Sequence, residues 1–189
     1  MACMTADCVF ENTRPAPDQA RELLVRMRSR YPYVLAVAHE LILVLEKLGD
    51  IDEPTIPFGL ADVRGDGTQI EQVYRSLDIG LARRVRAHAR RLGVSAAAVF
   101  HAAWALVVAH TSERDDVVFG SILFGRLHGS TDAQRVLGLF INTLPLRVKL
   151  ADVSAADVIV RVQRELAQLL DYEQTPLANP QRCSGLPGS

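Results

Sequence analysis

Histidine is the side chain best suited to act as a general base at neutral pH, and the sequence contains five. Only His128 stands in a suggestive string, HGSTDA, in which Asp132 follows after three intervening residues. A catalytic histidine must be oriented by a neighbour, and Asp132 would brace the backbone around His128. The pattern HxxxDG, which suits acyl transfer, requires a glycine after the aspartate, but Ala133 stands there. His128 is therefore a weak candidate for a catalytic base.

Other reaction centres have less support from the sequence. Neither Ser121 nor Ser130 lies in a G-x-S-x-G nucleophile elbow, and no phosphate-binding glycine motif is present. Cys3, Cys8 and Cys183 show no CxxC spacing, which argues against a disulfide framework and a zinc ribbon. We therefore expect no metal site and free thiols in a reducing, cytoplasmic compartment.

Composition is that of a soluble globular protein, with 49% hydrophobic and 23% charged residues among 189. A formal net charge of -1 gives no general attraction to nucleic acid or to an anionic membrane. The apolar segment 33–48 is interrupted by His39 and Glu40 and is shorter than the roughly 20 residues that span a bilayer. We expect neither a nucleic-acid nor a membrane partner.

Three helices are predicted in the second half of the chain. Segment 81–93 has leucine, valine and alanine on one face, arginines on the others, and a terminal glycine that favours a helix end. Ser95 is placed to cap segment 96–110, which is apolar on every side and is predicted to be buried centrally. Ser154 begins the third helix, and Asp157 completes a capping-box pattern.

Strands are predicted between and before these helices. Segment 115–125 is rich in β-branched and aromatic residues and is predicted to be a strand buried on both faces. Gly120 within it indicates a bulge or a close backbone approach. Segment 137–150 is predicted to be a second buried strand, where Pro145 implies an edge or a bulge. With a further strand over 70–78, the order predicts an α/β sandwich-like fold.

Three strings resemble one protein family. The string LARRVRAHARRLGVSAAAVFHAAWALVVAHTSERDDVVFGSILFGR resembles the later part of a condensation domain from nonribosomal peptide synthetases. LGLFINTLPLRV is similar to the motif that follows this region in the family, and GDIDEPTIPFGLADVRGDG resembles the linker that enters it. The resemblance divides the chain into a poorly matched, partly helical segment, 1–47, and the C-terminal part of a condensation domain, 48–189.

The resemblance implies one lobe of a chloramphenicol-acetyltransferase-like fold, an α/β sandwich in which helices cover a mixed sheet. Two such lobes would enclose a channel. The implied reaction is amide formation between a carrier-bound acyl or peptidyl thioester and a carrier-bound aminoacyl thioester. No cofactor would bind directly, because the phosphopantetheine of partner peptidyl carrier proteins would bring the substrates. Those carriers and the adjacent synthetase modules are the implied partners.

The catalytic signature of this family is HHxxxDG, which lies in the first lobe. The only Asp-Gly pair of the chain is Asp66-Gly67, and Ala61 and Asp62 occupy the two histidine positions. We therefore assign no catalytic residue and expect a chain that carries roughly the second lobe and is inactive alone.

Four positions are carried over as channel residues: Gly125, Arg126, Asn142 and Thr143. A buried strand rarely contains an asparagine unless its amide contacts a ligand or is satisfied by the protein. For Asn142, a hydrogen bond to a neighbouring loop and contact with the channel are equally open. For Arg126, an ion pair that anchors a contact between the lobes is favoured over contact with substrate.

Two other hypotheses stay open. The chain would be a non-catalytic interaction module that docks a carrier protein or a partner lobe through the apolar surface of a half-domain. Alternatively, it would be a stand-alone acyltransferase that uses His128.

Overall fold

The structure is a computed structural model of the 189-residue chain that describes residues 47–60, 72–124 and 141–173. The chain divides into two units, and one of them is Pro54–Glu173. Of the other unit, the described residues are 47–53, in which Lys47 and Leu48 are helical and a turn follows. All the elements below belong to the unit Pro54–Glu173, which begins with a short 3-10 helix at Pro57–Gly59.

Two helices follow each other closely. Helix α1 spans Ile79–Leu92, and the side chain of Asp78 caps it by accepting a hydrogen bond from Leu81 N at 3.0 Å. It ends at Gly93, whose φ of 69° lies in the left-handed region that glycine adopts without strain. Helix α2 spans Ala96–Ser112, and Ser95 caps it by accepting from Ala98 N. The predicted helix end at Gly93 and the cap at Ser95 are confirmed.

Helix α3 spans Ala155–Leu170 and begins at the predicted cap. Ser154 Oγ accepts from Asp157 N at 3.2 Å and lies 2.6 Å from Asp157 Oδ2, so the serine and the third helical residue bond each other. Arg161 on α3 donates to the Lys149 carbonyl at 2.8 Å. This bond ties the helix to the strand that precedes it.

The described part of the sheet consists of two antiparallel strands. Strand β1 spans Asp116–Leu123 and strand β2 spans Asn142–Lys149, with Gly120 opposite Pro145. The register runs from Asp116 opposite Lys149 to Leu123 opposite Asn142, with no bulge. The sequence predicted either a bulge or a close backbone approach at Gly120, and the bulge is therefore wrong. Among the described residues β2 pairs only with β1, so within that part of the chain Pro145 lies on an edge strand.

The core lies between the helices and one face of this sheet. That face carries buried residues from both strands, including Val117, Leu123 and Leu144. Helix α2 contributes small side chains along one stripe, and α3 contributes branched ones. The buried residues of these two helices are Ala98, Ala102, Ala105, Val108, Val158, Ile159, Val162 and Leu169. Small residues on α2 allow it to lie close to the sheet.

The opposite face of the sheet is exposed, so the prediction that β1 is buried on both faces is wrong. Ile122 on that face is 61% exposed, and Gly120 is exposed as well. Burial alternates along β1 because successive side chains point to opposite faces, and the described helices cover only one of them. The hydrophobic run gave no indication of this, since both of its faces are apolar.

Helix α2 also departs from its prediction. Its alanine stripe is buried, but Phe100 and Trp104 are 50% and 53% exposed, so central burial is wrong for the far side of the helix. A helix that is apolar all round predicts a buried position, but it cannot show how many sides have neighbours. Here the strands, α3, α1 and the 3-10 helix leave that side open.

The predicted strand over 70–78 is wrong in the part that the structure describes. Residues 72–78 form no regular element and are exposed, and Val73 and Tyr74 are among the most exposed apolar side chains. Asp78 explains part of the error. Its capping bond starts α1 at Ile79, two residues before the predicted start, and thereby ends the extended segment.

Among the described helices, none alone is both long and apolar enough to cross a membrane, while α1 and α2 taken together, bent by 104°, pass by length and composition.

Candidate functional site

The candidate site begins where β2 starts, at Asn142. Its side-chain Nδ2 donates to the Glu173 carbonyl at 2.9 Å, and its Oδ1 accepts from Thr143 N at 2.9 Å. Glu173 lies in the turn after α3, so the amide joins the start of the strand to the end of the helix. Of the two roles left open by the sequence, the structure displays the hydrogen bond to a neighbouring loop.

The next residue, Thr143, lies on the exposed face of the sheet. It pairs with Ile122, and its methyl group Cγ2 lies over Gly120 on the neighbouring strand. A Cβ atom placed on Gly120 would lie 2.7 Å from that methyl carbon, closer than a side chain tolerates. Gly120 therefore marks a close approach, but the approaching group is the side-chain methyl of Thr143 and not the backbone that the sequence predicted.

A serine and a histidine meet on the opposite, buried face. His101 on α2 places Nε2 3.0 Å from Ser121 Oγ, and its Nδ1 lies 2.8 Å from the Ala97 carbonyl. The carbonyl only accepts, so it selects the tautomer with hydrogen on Nδ1, and Ser121 then donates to Nε2. The ring also stacks on Phe119, and Ser121 is 2% exposed. A serine covered in this way joins α2 to β1 and cannot receive a substrate.

An ion pair links the two strands at their other end, where β1 begins and β2 ends. Arg147 Nε donates to Asp116 Oδ1 at 2.9 Å, and its Nη2 donates to Asp116 Oδ2 at 2.6 Å. This bidentate geometry fixes both planes and links β1 to β2. This pair was not predicted from the sequence. Its signal was the acidic start of β1 combined with the basic alternation at the end of β2.

Several predicted residues lie outside the described part of the chain. These are Gly125 and Arg126, which follow β1, the weak candidate base His128, and the Asp66-Gly67 pair. Of the predicted channel residues, the structure thus places Asn142 and Thr143, side by side at the start of β2. Within residues 47–60, 72–124 and 141–173, no three histidine, cysteine or acidic side chains are grouped to share a metal ion.

A family model supplies the observation that identifies this arrangement. The condensation domain model matches residues 52–189, which include every element described above. The chain belongs to the condensation-domain family. The predicted resemblance is confirmed, and α1, α2, both strands and α3 are parts of a condensation domain.

The relatives include a nonribosomal peptide synthetase from Claviceps purpurea (strain 20.1), which is 36% identical over 115 residues, 60% of this chain and 6% of that protein. Malpibaldin synthetase from Mortierella alpina is 44% identical over 176 residues, which are 93% of this chain and 3% of the synthetase. Surfactin synthase subunit 2 from Bacillus subtilis (strain 168) is 30% identical over 145 residues, 76% of this chain and 4% of that protein. The chain thus spans a few per cent of the length of these relatives.

Solved structures confirm the predicted fold class. The first condensation domain of the calcium-dependent antibiotic synthetase, in complex with a substrate analogue, superposes with a TM-score of 0.64 at 22% identity, covering 95% of this chain and 39% of that one. The X-domain from teicoplanin biosynthesis gives 0.63 at 21% identity, covering 90% and 37%. The chain therefore has the α/β fold of condensation domains, which is chloramphenicol-acetyltransferase-like.

Proposed function

We propose that this chain forms the second lobe of a condensation domain and, together with a first lobe, joins two carrier-bound substrates through an amide bond. The amine of an aminoacyl thioester attacks the carbonyl of an acyl or peptidyl thioester. A carbon–nitrogen bond forms, the carbon–sulfur bond breaks, and the thiol leaves with the proton. The observation that carries this proposal is the family match over residues 52–189, together with relatives that include a nonribosomal peptide synthetase.

The exposed face of the sheet is the proposed wall of the substrate channel. Thr143 and Ile122 lie on this face, and Gly125 and Arg126 follow β1 in the sequence after one intervening residue. An open, largely apolar face with a few polar groups suits a long, flexible arm that carries amides along its length. The substrates would reach this wall on the phosphopantetheine of peptidyl carrier proteins from adjacent synthetase modules.

Asn142 lies next to Thr143 at the start of β2 and supports this wall. Its Nδ2 donates to the Glu173 carbonyl, which links the start of β2 to the turn after α3, and its Oδ1 accepts from Thr143 N. We assign it the role of positioning Thr143, because both of its amide groups have partners within the chain.

The catalytic base is proposed to come from the first lobe. The sequence contains no HHxxxDG, and the pair at His101 and Ser121 is covered by its own packing. The chain alone is therefore expected to leave loaded carriers unchanged.

Complementation tests this proposal. The 189-residue chain is mixed with a separately produced first lobe from malpibaldin synthetase, the relative of 44% identity, and with one acyl-loaded and one aminoacyl-loaded carrier. Mass spectrometry of the carriers is expected to show an amide product only in the complete mixture. A matched mixture, in which the second histidine of HHxxxDG in the added lobe is replaced by alanine, is expected to give none.

Each failure has its own meaning. Product from the chain without the first lobe would overturn its inactivity, and the His128→Ala variant would then show whether the stand-alone acyltransferase hypothesis accounts for it. Co-elution of the two lobes without product would favour the alternative, a non-catalytic interaction module. The exposed Phe100 and Trp104 on α2 favour that alternative, because large apolar side chains on a surface mark contact sites.

A further inference from the structure

Glycine at position 120 is unfavourable for the strand that contains it. A glycine inside a strand has no side chain to pack and loses more conformational freedom on folding than other residues do. The neighbouring residues of β1 are those that strands prefer, as in Val117, Val118 and Ile122. The absence of a side chain at position 120 therefore indicates that another group occupies the space there.

That contact is with Thr143. The two residues lie diagonally across the strand pair, since Gly120 pairs with Pro145 and Thr143 pairs with Ile122. The Thr143 methyl occupies the space that a side chain at 120 would need, at 2.7 Å from the position of its Cβ. Diagonal neighbours on one face of an antiparallel pair regularly interact in this way.

Seating the methyl group also determines where the hydroxyl lies. Threonine is branched at Cβ, so the methyl and hydroxyl occupy separate staggered positions, and fixing one fixes the other. With Cγ2 directed at Gly120, Oγ1 is held away from Gly120. Among the described residues, none forms a hydrogen bond with this hydroxyl, although the backbone N–H of Thr143 donates to Asn142.

We propose that Gly120 is a positioning residue: its missing side chain seats the Thr143 methyl and thereby presents the Thr143 hydroxyl to the amides of the substrate arm. This inference rests on the proposed function, because it takes the exposed sheet face as the channel wall. The hydroxyl both donates and accepts, so it suits the alternating N–H and C=O groups of a pantetheine chain.

Four variants separate this role from simple packing. Gly120→Ala places a methyl group against Cγ2 and forces Thr143 into another rotamer. Thr143→Val keeps the branched shape but removes the hydroxyl, whereas Thr143→Ser keeps the hydroxyl and removes Cγ2. The double variant Gly120→Ala with Thr143→Ser combines a side chain at 120 with a hydroxyl that no longer collides with it.

The measurement uses the 189-residue chain mixed with the malpibaldin synthetase first lobe and titrated with free pantetheine. Isothermal titration calorimetry measures the affinity of the parent and of every variant, and methyl-labelled threonine reports the Thr143 resonance by NMR in the parent and in Gly120→Ala. Gly120→Ala and Thr143→Val are each expected to weaken pantetheine binding by about tenfold, the effect of one lost hydrogen bond. Thr143→Ser and the double variant are expected to stay within about twofold of each other, because no collision remains.

Thermal unfolding of every variant accompanies the titration. Thr143→Val is expected to unfold at the same temperature as the parent, so its weaker binding reports the hydroxyl and not the fold. This variant also decides the question if Gly120→Ala fails to fold. Unchanged binding by Thr143→Val overturns the inference.

Failure of the inference differs from failure of the proposed function. Parent-like binding by Gly120→Ala, or a double variant as weak as Gly120→Ala, overturns the role of Gly120 while the channel wall stands. If the parent mixture shows no shift of the Thr143 methyl with pantetheine, both the wall and the inference are wrong.

Discussion

At the scale of single residues, the start of β2 depends on one amide. Asn142 donates to the Glu173 carbonyl and accepts from Thr143 N, so it satisfies backbone groups on two elements at once. The loss of such a partner in a half-buried position destabilises the folded state, because water replaces the hydrogen bond incompletely. Asn142 is therefore a structural support for the residue beside it, Thr143.

Replacing Asn142 by alanine tests this support. Asn142→Ala is expected to lower the free energy of unfolding by about 1–3 kcal/mol, from two hydrogen bonds of about 1 kcal/mol each and the unsatisfied carbonyl. Urea unfolding measures the loss. A matched control is Gln72→Ala, because Gln72 is exposed and its side chain bonds only the exposed Tyr74 among the described residues. Equal effects of the two substitutions would contradict the supporting role.

At the scale of elements, helix starts are determined by polar side chains close to them in the sequence. Asp78, Ser95 and Ser154 each accept a hydrogen bond from a backbone N–H in the first turn of α1, α2 and α3. The first turn of a helix has N–H groups without partners inside the helix, and these caps supply them. α3 depends on its cap most directly, since Ser154 also contacts Asp157 there.

Removing that cap is expected to destabilise α3. Ser154→Ala should lower the free energy of unfolding by about 1 kcal/mol, whereas Ser154→Thr should retain most of it, because threonine keeps a hydroxyl that both accepts from the Asp157 N–H and donates to the Asp157 carboxylate. Thermal unfolding followed by circular dichroism measures both variants. Ser76→Ala is the control, since Ser76 is exposed and lies outside any regular element. A loss for Ser154→Thr as large as that for Ser154→Ala would show that the cap is not the cause.

At the scale of the whole molecule, apolar side chains are exposed on the outer face of the sheet. Ile122, Phe124 and Ile141 are all more than half exposed there or next to it. The chain covers 39% of a solved condensation domain, and a face of this kind is one that a partner lobe would cover. Contiguous exposed apolar surface drives proteins to associate with themselves when the proper partner is missing.

Self-association of the chain alone should therefore depend on this face. Replacing Ile122 and Phe124 together by glutamate is expected to lower the average mass in sedimentation velocity, because charged groups oppose burial of the face. Val73→Glu is the control, as Val73 is equally apolar and more exposed but lies in the irregular segment before α1. A similar drop for Val73→Glu, or a monomeric parent at all concentrations, would contradict the prediction.

The sequence by itself determined the family and the ends of the helices. Three quoted strings identified a condensation domain, and Ser95, Ser154 and the terminal glycine at Gly93 marked helix boundaries that the structure confirms. These signals are local, since a cap or a helix-ending glycine acts on backbone groups within a few residues. At Gly120 they predicted a bulge or a close backbone approach, whereas the structure has a close approach by the methyl of Thr143.

Only the tertiary structure decided which faces are covered and which distant residues meet. His101 bonds Ser121 across 20 positions, and Asn142 bonds Glu173 across 31. Likewise, Thr143 lies over Gly120 because of the strand register, and Trp104 is half exposed because its neighbours cover the other side of α2. The physical reason is common to all four cases. The type of a residue shows whether it requires apolar contacts or hydrogen bonds. The packing of separate elements determines which residue it contacts.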